Sequence, residues 1–424
     1  MRFGFAAPLP SPWGRSLSWR CQPAVVVPHL PAVEAVLRRR PEPSFTPSVL
    51  TSGTDAQNPY CNLISDTSGN LYGTTYGGGT NGTGAVFELV KGASGYTETV
   101  LYSFGISSGT DARHPSAGLI SDTSGNLYGA TTGGGTNNTG AVFELEKGAS
   151  GYTEKVLYSF GPSGSADGRQ PDAGLILDSS GDLYGTTYYG GTNNSGMVFE
   201  LVNGGGSYTE NVPYSFGPSG SGDAQNPAGS LIADTSGNLY GATTGGGTNN
   251  TGAVFELAKG ASGYTETVLY SFGPSGSGDG RYPEAGLILD TSGNFYSTTY
   301  AGGTNNNGMV FELVKGASGF TENVLYSFGP TGGTDGQDPA AGLISDSNGN
   351  LYGTTAYGGA NGSGTVFKLV KGASGYTETV LYPLDTADGG LPSAGLLLDG
   401  SGNIYGTASS GGTNGTGTVF EVTP

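Results

Sequence analysis

The chain has 424 residues, of which 81 are glycine, 25 tyrosine and 17 phenylalanine, and its formal net charge is −18. Glycine follows no three-residue period, which excludes a collagen-like chain, and aromatic residues are too numerous for a disordered polymer. A chain this acidic is a poor ligand for nucleic acid or anionic lipid, because phosphate binding needs clustered Lys and Arg. No run of 18 apolar residues occurs, so no membrane-spanning helix is predicted.

Residues 1–42 differ in composition from the rest of the chain. They contain six basic and two acidic residues, so their net charge is +4, whereas residues 43–424 carry −22. The apolar stretch 24–37 is interrupted by Pro28, Pro31 and Glu34, unlike the continuous core of a secretory signal. We predict a disordered Arg- and Pro-rich tail, or a segment that precedes the true start; a targeting peptide is the alternative.

Seven sequence repeats follow, with spacings of 56 residues and a last spacing of 53. Their shared text Asp-Thr-Ser-Gly-Asn-Leu-Tyr, with small changes, begins at Asp66, Asp122, Asp178, Asp234, Asp290, Asp346 and Asp399. Each repeat holds four short runs rich in aromatic and β-branched residues, separated by Gly- and Asn-rich breaks that supply turns. Four strands in a repeat of this length predict one blade of a β-propeller.

The two ends of the repeat region predict a closed ring. The seventh repeat stops after its third strand, at residues 419–422, and residues 45–50 match the fourth-strand text of the first repeat, 96–101. Pairing of the first and last strands in one blade would remove two free edges. We therefore predict an all-β fold: residues 43–424 form a seven-bladed β-propeller with four antiparallel strands per blade, and strand 45–50 completes the last blade.

Two sets of loops are expected on one face, because alternate turns of an antiparallel blade lie at the same end. The link between blades reads Asp-x-x-x-Pro, with Asp55, Asp111, Asp167, Asp223, Asp279, Asp335 and Asp388. The loop after the second strand carries Asn81, Asn137, Asn193, Asn249, Asn305, Asn361 and Asn414. Such carboxylates and amides suit a hydroxyl-rich ligand, and calcium would accept the same oxygen atoms. The alternative for each residue is a bond to its own turn.

Positively charged and catalytic candidates on this face are few. Arg113, Arg169 and Arg281 recur in three links and could hold an anionic group. His114 could act as a general base beside Asp111, but its counterparts in other repeats are unrelated residues such as Asn58 and Leu391. The chain lacks the nucleophile elbow, the HExxH helix and the phosphate-binding loop, so no catalytic residue is assigned and the metal question stays open.

The repeat text is specific enough to show a likeness. Residues 63–89, LISDTSGNLYGTTYGGGTNGTGAVFEL, and their six counterparts resemble the repeat of bacterial choice-of-anchor tandem repeat proteins called GloVer-containing, over residues 57–424. The resemblance implies a secreted or surface-displayed protein and brings no established activity and no catalytic residues. No clear signal peptide is recognised. The text also looks like that of lyase-type propellers, whose catalytic histidines have no repeated counterpart here.

Two classes of function follow from these observations. The leading hypothesis is a noncatalytic, monomeric binding module that presents its acidic Asp, Asn and Gly loops to a glycan, a cell-wall polymer or a protein. The alternative is a polysaccharide or lactone lyase or hydrolase that works at the mouth of the channel. A binding module tolerates seven equal loops, whereas an enzyme needs one irregular pocket.

Overall fold

Each sequence repeat folds into one antiparallel sheet of four strands, which we label A to D from the axis outward. The structure is a computed structural model, and it describes residues 44–49, 56–93, 95–105 and 110–423. The described residues form strands, turns and bends, and seven such sheets follow one another along the chain. The predicted seven-bladed β-propeller is confirmed.

The blades are numbered in chain order, and their strands have the following bounds, from A to D. Blade 1 has Ile64–Ser65, Leu71–Thr75, Ala85–Gly92 and Gly95–Ser103; blade 2 has Ile120–Ser121, Leu127–Gly134, Ala141–Gly148 and Gly151–Ser159. Blade 3 has Ile176–Leu177, Leu183–Thr187, Met197–Asn203 and Tyr208–Ser215; blade 4 has Ile232–Ala233, Leu239–Gly246, Ala253–Gly260 and Gly263–Ser271. Blade 5 has Ile288–Leu289, Phe295–Thr299, Met309–Gly316 and Gly319–Ser327; blade 6 has Ile344–Ser345, Leu351–Thr355, Thr365–Gly372 and Gly375–Pro383. Blade 7 has Leu397–Leu398, Ile404–Ala408, Thr418–Thr423 and, from the start of the chain, Ser44–Val49.

Aromatic side chains fill the seams between blades. Phe143 on strand C of blade 2 is fully buried, and its ring occupies the space that a side chain at Gly129 would need, since a Cβ there would lie 2.6 Å from the ring. Phe104, which follows strand D of blade 1, meets Phe143 edge to face with centroids 5.0 Å apart. Four further seams repeat this contact. A fully buried Phe side chain stabilises the fold by about 1.5–3 kcal/mol, so these seams hold neighbouring blades together independently of their loops.

The first strand among the described residues closes the ring, as the sequence predicts. Ser44–Val49 pairs antiparallel with Thr418–Thr423, with Phe45 opposite Val422. The ring of Phe45 stacks on Tyr382 of blade 6 at 4.0 Å between centroids. Blade 7 also contacts blade 1 directly, because the N–H of Asn58 donates to the carbonyl of Thr416 at 2.7 Å.

A short strand in each of six interblade links fixes the position of the loops. Each pairs antiparallel with residues at the end of strand B or just after it in the same blade; the link strands are Ala56–Gln57, Ala112–Pro115, Gly168–Arg169, Ala224–Pro227, Gly280–Arg281 and Gly336–Gln337. A bridge between Gly390 and Ser410 takes this place in blade 7. The links and the loops between strands B and C therefore share one face, which we call the mouth face. The opposite face carries the Asp-x-x-Gly-Asn and Asp-x-x-Gly-Asp turns between strands A and B, and we call it the turn face.

The N-terminal 42 residues form a unit separate from the propeller. The chain divides into the units Met1–Glu42 and Pro43–Pro424. The tail predicted for residues 1–42 and the aspartate at position 55 lie outside the described residues. Among the described residues, no helix has the length and apolar character needed to cross a bilayer.

Candidate functional site

The aspartates predicted as ligands on the mouth face accept hydrogen bonds from their own loops. Asp167 accepts the O–H of Tyr158 at 2.9 Å and the N–H of Gly161 at 2.5 Å on one oxygen, and the N–H of Gly168 at 2.6 Å on the other. The Tyr and first Gly bonds recur at Asp223, Asp279 and Asp335. The Tyr bond recurs at Asp111 and Asp388. These carboxylates hold the chain where strand D leads into the next blade.

Each described seam from blade 1 to blade 6 also brings a glutamate of the next strand D to this aspartate. The hydroxyl of Tyr158 lies 2.9 Å from Asp167 Oδ2 and 2.8 Å from Glu210 Oε2, and one hydroxyl hydrogen cannot serve both carboxylates. Burial, together with the nearby aspartate, raises the pKa of Glu210 to about 7. Burial first and the adjacent aspartate second raise the pKa to about 8 at Glu154, Glu266 and Glu322 and to about 7 at Glu378. Near neutral pH a proton is therefore held at the contact between blades.

The predicted ring of asparagines ties loops to strands. Asn137 donates from Nδ2 to the carbonyl of Phe160 at 2.9 Å, which joins the loop between strands B and C to the end of strand D. The same bond is made by Asn81, Asn193, Asn249 and Asn305, and a longer one of 3.3 Å joins Asn361 to Pro383. Asn414 is exposed on the corresponding loop of blade 7.

His114 bridges two blades. Its Nδ1 lies 3.0 Å from the carbonyl of Tyr76, and its ring stacks on that of Tyr76 with centroids 4.6 Å apart. At the same repeat position, Asn226 donates from Nδ2 to Tyr188 and Asn58 donates to Ser409, each at 3.0 Å. The imidazole thus makes the interblade bond that an amide makes elsewhere, which explains how His and Asn alternate at this position.

The three arginines lie on the mouth face at unequal sites. Arg169 donates to Ser163 Oγ at 3.1 Å, bonds Asn194, and lies 5.6 Å from the ring centre of Tyr189. Arg281 bonds an asparagine in the same way and lies 5.5 Å from the ring centre of Tyr282. Arg113 belongs to blade 2. The buried Nε of all three arginines has no hydrogen-bond partner among the described residues. Two of the three arginines therefore flank exposed tyrosines.

Those two tyrosines border a groove that crosses blades 3 and 4 to the link into blade 5. The groove has a volume of about 590 Å³, and we call it the tyrosine groove. Its wall carries three tyrosines, five side-chain amides and one carboxyl group: Tyr188, Tyr189, Tyr282, Asn193, Asn194, Gln225, Asn226, Asn250 and Glu284. Tyr189 and Tyr282 are 37% and 38% exposed, which is unusual for large aromatic side chains and leaves their ring faces available. Of the predicted ligands, Asn193 lies in the groove.

A smaller cavity of about 130 Å³ lies on the propeller axis at the mouth face. All seven repeats contribute the residue after the interblade proline: Tyr60, Ser116, Asp172, Ala228, Glu284, Ala340 and Ser393. Burial raises the pKa of Asp172 to about 6, against a hydrogen bond from Ser116. Burial and then the charge of Asp338 raise the pKa of Glu284 to about 7. The axial cavity is therefore polar and unequal around its circumference.

Sequence reasoning did not single out this post-proline position or the tyrosines after strand B. The signal was present as departures from the repeat, since Tyr76, Tyr188 and Tyr300 align with Thr132 and Thr244. In the links between blades, the predicted ligands were chosen mainly from the residues that all seven copies share. Shared residues hold the fold and form part of both linings, whereas the tyrosines of the groove and the post-proline residues of the axial cavity differ between repeats.

No metal centre is evident in the part of the chain that the structure describes. There, no three His, Cys, Asp or Glu side chains come together in a way that could hold a metal ion.

Comparison with known proteins identifies the family. The sequence profile of the Gloeobacter/Verrucomicrobia repeat matches residues 36–163, 93–292 and 263–424, so the chain belongs to this repeat family. The resemblance noted from the repeat text is confirmed. No curated protein matches the chain.

Solved structures show the same type of fold. The extracellular domain of a candidate one-component system from B. thetaiotaomicron is 12% identical, with a TM-score of 0.53; the match covers 88% of this chain and 39% of that one. A candidate 6-phosphogluconolactonase from Bacteroides uniformis is 14% identical, with a TM-score of 0.50 and coverage of 81% and 89%. At these identities the likeness concerns the fold alone, and the chain spans well under half of the first protein.

Proposed function

We propose that this propeller is a noncatalytic binding module that holds a carbohydrate chain in the tyrosine groove. The observation that carries the proposal is the grouping of exposed tyrosines and side-chain amides in one groove, in which the tyrosines and Gln225 stand at positions where the repeats differ. A site that needed only the shared loop residues would leave all seven blades equivalent.

The chemistry of the groove fits sugars. An arginine lies over one face of Tyr189 and of Tyr282, and the other face of each ring can pack against the C–H face of a pyranose ring. Gln225 donates to the carbonyl of Gly217 and Asn250 accepts the N–H of Gly246, each at 3.0 Å, so the oxygen of the first amide and the nitrogen of the second remain for sugar hydroxyls. The volume of about 590 Å³ falls within the usual range for ligand pockets, about 300–1,000 Å³.

Location and partners follow from this ligand class. Cell-wall polymers and other glycans outside the cell are the ligands we expect, and one protein of similar fold is an extracellular domain. We therefore propose a secreted or surface-displayed protein that acts as a monomer. Binding should be compared with and without calcium, because carboxylates, which can bind calcium, are abundant on the mouth face.

A glycan array, with calcium and with a chelator, tests the proposal, followed by calorimetry on the best ligands. We expect Tyr189→Ala and Tyr282→Ala each to weaken binding about tenfold or more, since central aromatic contacts commonly contribute above 1 kcal/mol. Tyr357→Ala is the matched control, because Tyr357 is 41% exposed at the repeat position of Tyr189 but lies in blade 6.

Three outcomes would contradict the proposal. One is the absence of any glycan ligand in both calcium conditions. Another is an equal loss of binding in Tyr357→Ala, which would place the site elsewhere. The third is release of new reducing or unsaturated ends from a bound polysaccharide, which would make the protein a hydrolase or lyase.

A further inference from the structure

We infer that the tyrosine groove opens into the axial cavity and that Glu284, at the junction, recognises the neutral end of the bound carbohydrate chain. This inference rests on the proposed function and deepens it. Glu284 borders both the groove and the axial cavity, and no other residue that lines the groove also lines the cavity among the described residues.

The size and walls of the axial cavity favour a chain end over a continuing chain. A volume of about 130 Å³ is room for about four water molecules, or for one exocyclic group of a sugar, but not for a second length of polysaccharide. The inner segments of the blades approach each other around it: Ser230 Oγ accepts the N–H of Gly174 at 2.9 Å, and Asn62 Oδ1 accepts the N–H of Gly395 at 2.6 Å. Only the terminal sugar of a chain bound in the groove could therefore enter the axial cavity.

The carboxyl group of Glu284 is available for this contact. It makes no hydrogen bond to any residue that the structure describes, whereas Asp172, the other carboxyl group of the ring, lies 3.2 Å from Ser116 Oγ. The same repeat position in blades 4 and 6 holds Ala228 and Ala340, so blade 5 alone brings a carboxyl group to the junction. A half-buried carboxyl group without a protein partner would find one in a ligand hydroxyl.

The surroundings of Glu284 determine what kind of end it accepts. Glu284 interacts electrostatically with three ionisable groups, those of Asp338, Tyr188 and Tyr300. Tyr188 also interacts electrostatically with Asp172. These neighbours are neutral or negative near neutral pH, so a uronate would be repelled at the junction itself. The positive charges near the groove, Arg169 and Arg281, lie beside the rings of Tyr189 and Tyr282 on its wall. Below about pH 7 the carboxyl group of Glu284 keeps its proton and can donate to a sugar hydroxyl as well as accept from one.

Affinity as a function of pH tests the inference. Cellohexaose, xylohexaose and chitohexaose serve as neutral probes and hexagalacturonate as the acidic probe. We expect a neutral probe to bind about tenfold more weakly at about pH 8.5 than at about pH 6, because the ionised carboxylate has lost its O–H donor and the ligand must displace the water around its charge. Hexagalacturonate should bind more weakly than the neutral probes. Glu284→Gln keeps a donor and an acceptor without titrating, so its affinity should stay at the acid value across this range.

The outcomes separate this inference from the proposed function. Glu284→Ala should weaken binding about tenfold at pH 6 and remove the pH dependence, while Tyr357→Ala, in blade 6 and outside both the groove and the axial cavity, should change neither. If Tyr189→Ala abolishes binding while both Glu284 variants keep the wild-type dependence of affinity on pH, the proposed function is supported and this inference fails. Tight binding of hexagalacturonate would also overturn it. If no neutral probe binds although the array finds another glycan ligand, this inference fails and the proposed function stands; if the array finds no glycan ligand, both fail.

Discussion

The two faces of the propeller are built from the same seven repeats but differ in how much the repeats vary. On the turn face, Asp234 accepts two backbone N–H groups on one oxygen, and on the other accepts Nδ2 of Asn238 and the hydroxyl of Tyr240. The same set of bonds recurs in five further blades, and in blade 3 the backbone bonds remain. On the mouth face, the residues that line the cavities change from blade to blade.

The mouth face varies in its side chains while its backbone stays constant. The residue before each interblade proline has φ between 54° and 57°, in the left-handed region, although it is Tyr282 in one link and Leu391 in another. Such a conformation costs about 1 kcal/mol or more for these residues, and it persists because the N–H of each donates to a carbonyl of the preceding blade. A constant frame with variable side chains is what allows one groove to form on a ring of equal parts.

The largest effect should come from opening the ring, because both faces depend on its closure. A protein that lacks residues 1–50 should lose about 3 kcal/mol or more of stability or aggregate, since it loses the strand Ser44–Val49 and the packing of Phe45. Thermal unfolding and light scattering measure this. Removal of residues 1–42 alone is the control and should leave the melting temperature within a few degrees; unfolding of that shorter variant would show that our boundary is wrong.

The next effect should distinguish the aspartates of the two faces. Replacing Asp234, Asp290 and Asp346 together by Asn should cost about 1 kcal/mol per site, because an amide can accept on only one atom and loses the bonds that the second carboxylate oxygen takes from Asn238 Nδ2 and Tyr240 and their counterparts. The matched triple change of Asp167, Asp223 and Asp279 to Asn should cost less at pH 8, because it relieves repulsion with the neighbouring glutamates. Chemical denaturation measures both, and equal losses at pH 8 would remove the distinction.

A smaller effect should appear in the dependence of stability on pH. The folded-state pKa of Glu154, Glu266 and Glu322 is raised by burial and by an aspartate to about 8, above the unfolded value, so the folded protein binds more protons. Their contribution is complete below about pH 4.5 and is lost as pH rises to about 8, so the melting temperature should fall over this range. The variant with Gln at these three positions should show a much flatter profile; an unchanged slope would refute the carboxyl pairing.

The smallest effect should come from His114. His114→Asn should leave stability and ligand binding unchanged, because Asn makes the same interblade bond at positions 58 and 226. His114→Ala should cost about 1 kcal/mol through the lost bond to the carbonyl of Tyr76. Thermal unfolding and the glycan assay measure both. A loss of ligand affinity or of a measured turnover in His114→Asn would give His114 a functional role and contradict the bridging role.

How far the sequence could predict the site depends on which residues are considered. The link aspartates and loop asparagines were correctly expected on one face, because strand alternation alone decides that. Their hydrogen bonds to Tyr158, Phe160 and their counterparts could not be read from the sequence, because those partners lie in strand D, at positions no loop motif mentions. Ligand binding by these residues stays a prediction. Of the residues predicted to bind, Asn193 lines the tyrosine groove, and Arg169 and Arg281 lie beside its tyrosines.

The sequence by itself determined the architecture. Its signals are local or periodic: the repeat period, the aromatic runs of strand length, and a fourth strand for the last blade that precedes the first repeat. Closure of the ring follows from these signals because unpaired strand edges are unfavourable. Only the tertiary structure decided which side chains form the groove and the axial cavity. The groove and the axial cavity join side chains such as Tyr188 and Glu284, which are almost 100 residues apart and meet because the ring curves. Whether a carboxyl group is bonded, paired or free also depends on neighbours from other blades, as Asp167 beside Glu210 and the unpartnered Glu284 demonstrate.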